Sequence, residues 1–185
     1  TTTDGGAVTI TGAVTGAFDL DILSGAGLAK ITGNIGLGGT PLASLDINNT
    51  DTAGHTGGVE LGGSIGTDSA AGAGITRLGN PKTTGTITLS GVEYNTSGAQ
   101  TFTGAAFALG GANVTFATSD DAVEFAASTG QGGDVTLADA ANLTINSGSG
   151  AITFGGDILG TNSGESTDVT LNSSGAVSVK SIGAD

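Results

Sequence analysis

The sequence predicts an all-β fold, a right-handed parallel β-helix (β-solenoid) built of short strands and Gly/Asn/Ser turns, and three observations lead there. The chain has 185 residues, 36 of them Gly spread along its length. Each Gly costs a helix about 1 kcal/mol relative to Ala, so almost no helix would survive. Apolar residues recur at i and i+2 around one outward residue, which is the period of a strand. That outward residue is nearly always Thr, Asp or Glu, which suits ladders of like residues stacked about 4.8 Å apart.

Taken along the chain, the first such run is Val8-Thr9-Ile10. Leu20-Asp21-Ile22, Leu45-Asp46-Ile47 and Val59-Glu60-Leu61 follow, each with a carboxylate outward. Next come Ile87-Thr88-Leu89, Val114-Thr115-Phe116, Val123-Glu124-Phe125 and Val135-Thr136-Leu137. Leu143-Thr144-Ile145, Ile152-Thr153-Phe154, Val169-Thr170-Leu171 and Val177-Ser178-Val179 complete the series. Between them lie turn clusters such as SGAG at 24–27, GLGG at 36–39, NSGSG at 146–150 and NSSG at 172–175. The stretch 62–85 loses the alternation and reads as a loop excursion from the coil.

Short regular strands make either an antiparallel sandwich or barrel, or a solenoid in which each strand stacks on its copy from the coil before. The runs are shorter than sandwich strands, and their inward residues are mostly Val, Ile and Leu with few aromatics. The likeness between segments also extends into their flanks, as GGAVTITGAVTG at 5–16 beside GSGAITFGGDILG at 148–160 shows. The solenoid is therefore preferred, as a single segment over 1–185 of a longer repeat protein. Right-handedness follows from the rule for crossovers between parallel strands. Two or three strands per turn give roughly 20 to 30 residues per coil and about six to nine coils, some 30 to 45 Å in all.

This register places Val8, Ile10, Leu20, Ile22, Leu45, Ile47, Ile87, Leu89, Phe116, Phe125, Leu137, Ile145, Phe154 and Leu171 inside. Thr9, Asp21, Asp46, Glu60, Thr88, Thr115, Glu124, Thr136, Thr144, Thr153 and Thr170 face solvent.

Composition narrows the chemistry. Seventeen acidic residues against four basic ones give a formal charge of −13, which leaves little to neutralise phosphates. Nucleic acid and anionic membranes are thus poor partners. No run of 18 apolar residues is present, so no membrane insertion is expected, and the N-terminal residues lack the basic-then-apolar form of a signal segment. The sequence reads as a piece of a mature, secreted chain. Without Cys there is neither a disulfide nor a thiolate nucleophile.

His55 is the only imidazole and sits among turn residues in NTDTAGHTGG, where a solvated loop position fits better than a catalytic one. One imidazole alone supports no Ser-His-Asp reading. A solenoid polysaccharide lyase would need Arg or Lys beside a Ca²⁺-holding acidic cluster, and Lys30, Arg77, Lys82 and Lys180 are widely spaced. The chain is accordingly read as having no active site and needing no cofactor.

The remaining candidates are binding surfaces. Asp19, Asp21, Asp46 and Glu60 would form an acidic face on successive coils, and stacked carboxylates repel unless a counter-ion such as Ca²⁺ or Mg²⁺ lies between them. The competing reading is a solvated face that keeps a fibre soluble. The Ca²⁺ repeat G-G-x-G-x-D-x-U-x is only approximated, by TGQGGDVTL at 129–137, and Asp120-Asp121 is a turn pair. T-x-T triplets at Thr9 to Thr11, Thr86 to Thr88 and Thr101 to Thr103 have the form of ice-binding Thr rows, against the preferred reading of β-branched residues that stabilise a stacked sheet, and the alternative function is a carbohydrate-binding or ice-binding module. Asn-x-Ser/Thr triplets begin at Asn48, Asn95, Asn113, Asn142 and Asn172, as chance allows in a Thr-rich chain.

Four phrases carry a resemblance: GGAVTITGAVTG at 5–16, TPLASLDI at 40–47, YNTSGAQTFTGA at 94–105 and NLTINSGSGAITFGGDILG at 142–160. They resemble the repeats of filamentous-haemagglutinin-like exoproteins and other giant bacterial surface adhesins, whose passengers are right-handed parallel β-helices. The resemblance implies a long, thin, extracellular or bacterial cell-surface fibre, with this chain as a segment of its shaft. The family's secretion-recognition domain, adhesion tripeptides and membrane barrel have no counterpart in these residues. The implied partners are host, neighbour-cell or matrix surfaces. Strand signals that run close to both termini add a further expectation, end-to-end association with copies or flanking repeats through edge strands.

Overall fold

The computed structural model describes residues 5–50, 54–67, 69–161 and 167–183. Its strands in chain order begin with β1 (Val8–Ile10), β2 (Asp19–Ile22), β3 (Ala29–Ile31), β4 (Leu42–Ile47), β5 (Val59–Leu61) and β6 (Ala73–Gly79). The middle of the chain forms β7 (Thr86–Leu89), β8 (Glu93–Asn95), β9 (Gln100–Gly104), β10 (Ala106–Leu109), β11 (Asn113–Ala117) and β12 (Val123–Ala127). The last are β13 (Asp134–Leu137), β14 (Asn142–Gly148), β15 (Ile152–Phe154), β16 (Ile158–Gly160), β17 (Val169–Ser173) and β18 (Val177–Ser178). Each sequence-predicted run lies in one of these strands except the last, of which β18 holds Val177 and Ser178 but not Val179.

The strands form three sheets, and every strand pairing is parallel. Sheet I runs β1-β3-β5-β7-β10-β13-β16, sheet II runs β8-β11-β14-β17, and sheet III runs β2-β4-β6-β9-β12-β15-β18. From β7 onward the chain visits sheets I, II and III in strict rotation, one strand per side per coil. In the N-terminal half the second side shrinks to single bridges, Val14 to Ile35 to Ile65 to Tyr94, which continue sheet II to the same end. The chain is a three-sided parallel β-solenoid, and the seven strands of sheet I bound six coil steps.

Coil length is not constant. Residues paired across sheet I are 21 apart from Val8 to Ala29, 30 from Ala29 to Val59 and 20 from Ile87 to Phe107. The ladders stay in register because the turns absorb the difference, so a fixed repeat length cannot be read from strand spacing.

Side-chain alternation then builds the core. Ile22, Leu45, Ile47, Ile87, Leu89, Phe116, Phe125, Leu137, Ile145 and Phe154 are buried, as predicted. Val8, Ile10, Leu20 and Leu171 pack against that core from the end coils, where fewer neighbours cover them. None of the positions predicted to face solvent is buried. The C-terminal half is aromatic inside: Phe125 stacks on Phe102 (centroids 4.9 Å apart) and Phe154 (5.0 Å) and meets Phe107 and Phe116 edge-on, while Tyr94 stacks on Phe116 (4.9 Å).

The stretch 62–85 requires a correction. The expected excursion contains β6, which pairs with β4 on one side and β9 on the other, and Ile65, which bridges Ile35 and Tyr94. The alternation fails there for a physical reason. Two inward positions of adjacent rungs, Thr76 and Gln100, are polar, and outward Ile75 is 42% exposed. The Gln100 side-chain amide donates to the carbonyls of Tyr94 (2.7 Å) and Ala117 (2.9 Å), which lets a polar group sit in the core.

Corners between sheets are closed by Gly and Asn. A Cβ on Gly57 would collide with the carbonyl oxygen of Gly27 one coil away, so successive corners approach more closely than any side chain permits. At the corner after sheet III, buried Asn48 takes φ +50°. Its Oδ1 accepts the Ser24 amide N–H (2.9 Å), and its own carbonyl accepts from the Asn80 side chain (2.6 Å). This column satisfies turn backbone that would otherwise be buried without partners.

Candidate functional site

The acidic residues singled out in the sequence divide between two faces. Asp19 and Asp21 lie on β2 and Asp46 on β4, with Asp21 and Asp46 directly in register on the outside of sheet III. Glu60 lies on β5 in sheet I, so it does not join them. The expectation of one four-carboxylate face is thereby corrected: successive coils carry more than one outward side, and the strand of Glu60 belongs to a different one.

Each carboxylate group has company that linear spacing conceals. Arg77 on β6 is the next rung after Asp46, and its Nε and Nη2 donate to the two carboxylate oxygens at 2.5 and 2.8 Å. This hydrogen bond holds the Arg77 guanidinium above its ordinary pKa, against a smaller opposing effect of burial. Asn49 Nδ2 adds a bond to Asp46 Oδ1 (3.0 Å), and Ser44 Oγ donates to Asp19 (2.8 Å). Together with Thr50 and Ile75 these side chains line a shallow groove on sheet III. Lys30 pairs with Glu60 across β3 and β5 at 2.6 Å. Lys180 pairs with Asp157 at 3.2 Å, and hydrogen bonds from Ser181 and then Lys180 hold the Asp157 carboxyl below its usual range.

Among the described residues, no group of three or more His, Asp or Glu is arranged to hold a metal ion. In the groove the counter-charge that stacked Asp21 and Asp46 require comes from Arg77, a residue whose 31-residue separation from Asp46 is one coil. The other acidic motifs have turn duties. Asp120 accepts the Ser149 amide at 3.0 Å, and Asp134 accepts the Asp157 amide at 2.9 Å. His55 lies half-buried in the corner after sheet III, where its carbonyl accepts from Asn80 (2.8 Å) and its Nδ1 has no partner among the described residues.

The T-x-T triplets fall on β1 and β7 of sheet I and β9 of sheet III, and so do not form one array. A different lattice occupies the outside of sheet II. Thr115, Thr144 and Thr170 stack in one row, with Asn113 over Asn142 on one flank and Asn146 over Asn172 on the other. The amides run head to tail along the axis, Asn142 donating to Asn113 (2.9 Å) and Asn172 to Asn146 (2.8 Å). Sequence reasoning missed this face, although the N-x-T pattern at Asn113 and Asn142 was its signal. At its β8 end, Val92, Glu93, Ala112, Asn113 and Thr115 line a shallow depression.

Compared with family models, curated proteins and solved structures, the chain matches none, so its classification as a parallel β-solenoid repeat protein stands on its own geometry.

Proposed function

We propose that this chain is a structural and adhesive shaft segment of a secreted or cell-surface fibre, of the kind that filamentous-haemagglutinin-like adhesins build, with no catalytic role. One observation carries the reading: sheets I and III each run seven strands along a single axis without a change of direction, although coil length varies. Such a ladder transmits length and stiffness whatever the turns carry. Its outward charges are mostly acidic and are distributed in ion pairs and turns, which keeps a rod soluble.

The setting that follows is the extracellular space or a bacterial surface, with host, neighbouring-cell or matrix surfaces as partners. Association end to end is part of the same proposal, because β2 and β18 each hydrogen-bond to a strand on one side within sheet III. Electron microscopy of several copies joined in tandem tests it. The expected images are straight rods that lengthen by about 34 Å with each copy, seven rungs of about 4.8 Å. Beads on a flexible string would remove the shaft reading.

A further inference from the structure

We propose that the outward face of sheet II is a binding surface for an extended, uncharged, β-linked hexose chain lying along the solenoid axis. The inference goes beyond the shaft reading and does not depend on it. In a chain of net charge −13, the middle of this face carries only the hydroxyls of Thr115, Thr144 and Thr170 and the amides of Asn113, Asn142, Asn146 and Asn172, with carboxylates at its ends, Glu93 in register with Thr115 and Asp168 beside Asn142. An uncharged chain can take these hydrogen bonds, whereas an anionic polymer would be repelled by the carboxylates at both ends. The hydroxyls of Thr115, Thr144 and Thr170 have no partner among the described residues and none of the three is buried. Asn113 spends its carbonyl oxygen on Asn142, and among the described residues its amide nitrogen has no acceptor.

Geometry supplies the remaining argument. Rungs about 4.8 Å apart are close to the advance per ring of an extended β-linked hexose chain, so each ring meets one Thr and one Asn. Hydroxyls and primary amides both donate and accept, which matches the mixed character of sugar hydroxyls. In the depression at the β8 end, Val92 (48% exposed) and Ala112 give the apolar contact that a ring's C–H face requires, beside the carboxylate of Glu93. Water leaving that contact adds to the polar match.

The test is amide NMR of the whole chain titrated with cellohexaose, with alginate as the anionic control. Shifts are expected to cluster at 113–115, 142–146 and 170–172, and to be absent with alginate. Thr144→Asp places a charge in the middle of the lattice and should weaken binding about tenfold or more, with circular dichroism unchanged. Should that variant melt early, exposed Asn113→Ala serves in its place. No shifts at millimolar cellohexaose, equal shifts with alginate, or shifts confined to the Asp19–Arg77 groove would each overturn the inference. A rod in the microscope that binds no sugar would leave the shaft reading intact.

Discussion

Arg77 stands one coil beyond Asp46, 31 residues along the chain, and closes on its carboxylate through two hydrogen bonds of 2.5 and 2.8 Å. The Asp46 side chain is 14% exposed and that of Arg77 43%. Solvent therefore screens the pair, and its contribution belongs to the surface class at about 0.2–1 kcal/mol. Arg77→Met should lower stability by that amount, and the loss should shrink in high salt. A denaturant titration at two salt concentrations measures it.

The same substitution leaves Asp21 and Asp46 stacked without their cation. Millimolar Ca²⁺ should then raise the melting temperature of Arg77→Met more than that of the parent chain, each relative to EDTA, because ligands of the native state stabilise by mass action. Equal gains in both proteins would mean that Arg77 and the ion do not compete for these carboxylates.

Tyr94 is the only tyrosine and is fully buried, its hydroxyl accepting the Gly91 N–H at 2.8 Å. Burial raises its pKa, and the Gly91 bond opposes this only partly. A pKa raised on folding contributes stability that is fully present below the unfolded value near 10 and is lost as pH rises through the folded value. Phenolate absorbance should therefore appear together with the loss of β-sheet circular dichroism above about pH 10. Titration of Tyr94 near its ordinary value in a folded chain would show that the ring is accessible.

How much of this was legible in the sequence differs from element to element. Runs such as Val135-Thr136-Leu137 carry large apolar residues at both inward positions, so β13 was readable. β3 has the apolar-polar-apolar signature only weakly, with small Ala29 at its first inward position, while β8 buries Tyr94 between Glu93 and Asn95 and β6 has polar Thr76 inward, and neither of these two shows it. The site suffered more than the fold. Which carboxylates meet depends on coil length, and the coils of 20 to 31 residues vary with turns that carry no register signal. Lys30 with Glu60, Arg77 with Asp46, and Lys180 with Asp157 become neighbours only after the ladders are aligned.

Phe125 is the centre of the aromatic core, touching Phe102, Phe107, Phe116 and Phe154. Phe125→Ala should cost about 3–5 kcal/mol, since the surrounding rings from all three sheets cannot collapse into the space. Phe18, 46% exposed near the first coil, should cost far less when truncated. Chemical denaturation of the two variants gives the comparison, and similar losses would contradict the packing described.

The corner glycines make a paired prediction. Gly57→Ala pushes a methyl group against the Gly27 carbonyl and should destabilise by about 1–3 kcal/mol. At Gly110 a Cβ would meet Ser90 Oγ at 3.4 Å, an ordinary contact. Gly110→Ala should be neutral or stabilise by up to about 1 kcal/mol through the unfolded chain. Thermal melts that rank the two in the opposite order would show that the corners are not closely packed.

The coils stack in register along one axis, and spin-label distances on the outside of sheet I test this most directly. Thr9, Thr88 and Thr136 lie in a single outward row, with Lys30 and Glu60 between the first two and Ala108 between the last two. Labels at Thr9 and Thr88, three rungs apart, should lie about 14 Å from each other, and labels at Thr9 and Thr136, five rungs apart, about 24 Å. Distances that rise in proportion to the number of rungs are the predicted result; a Thr9–Thr136 separation no longer than Thr9–Thr88 would contradict the solenoid and everything built on it.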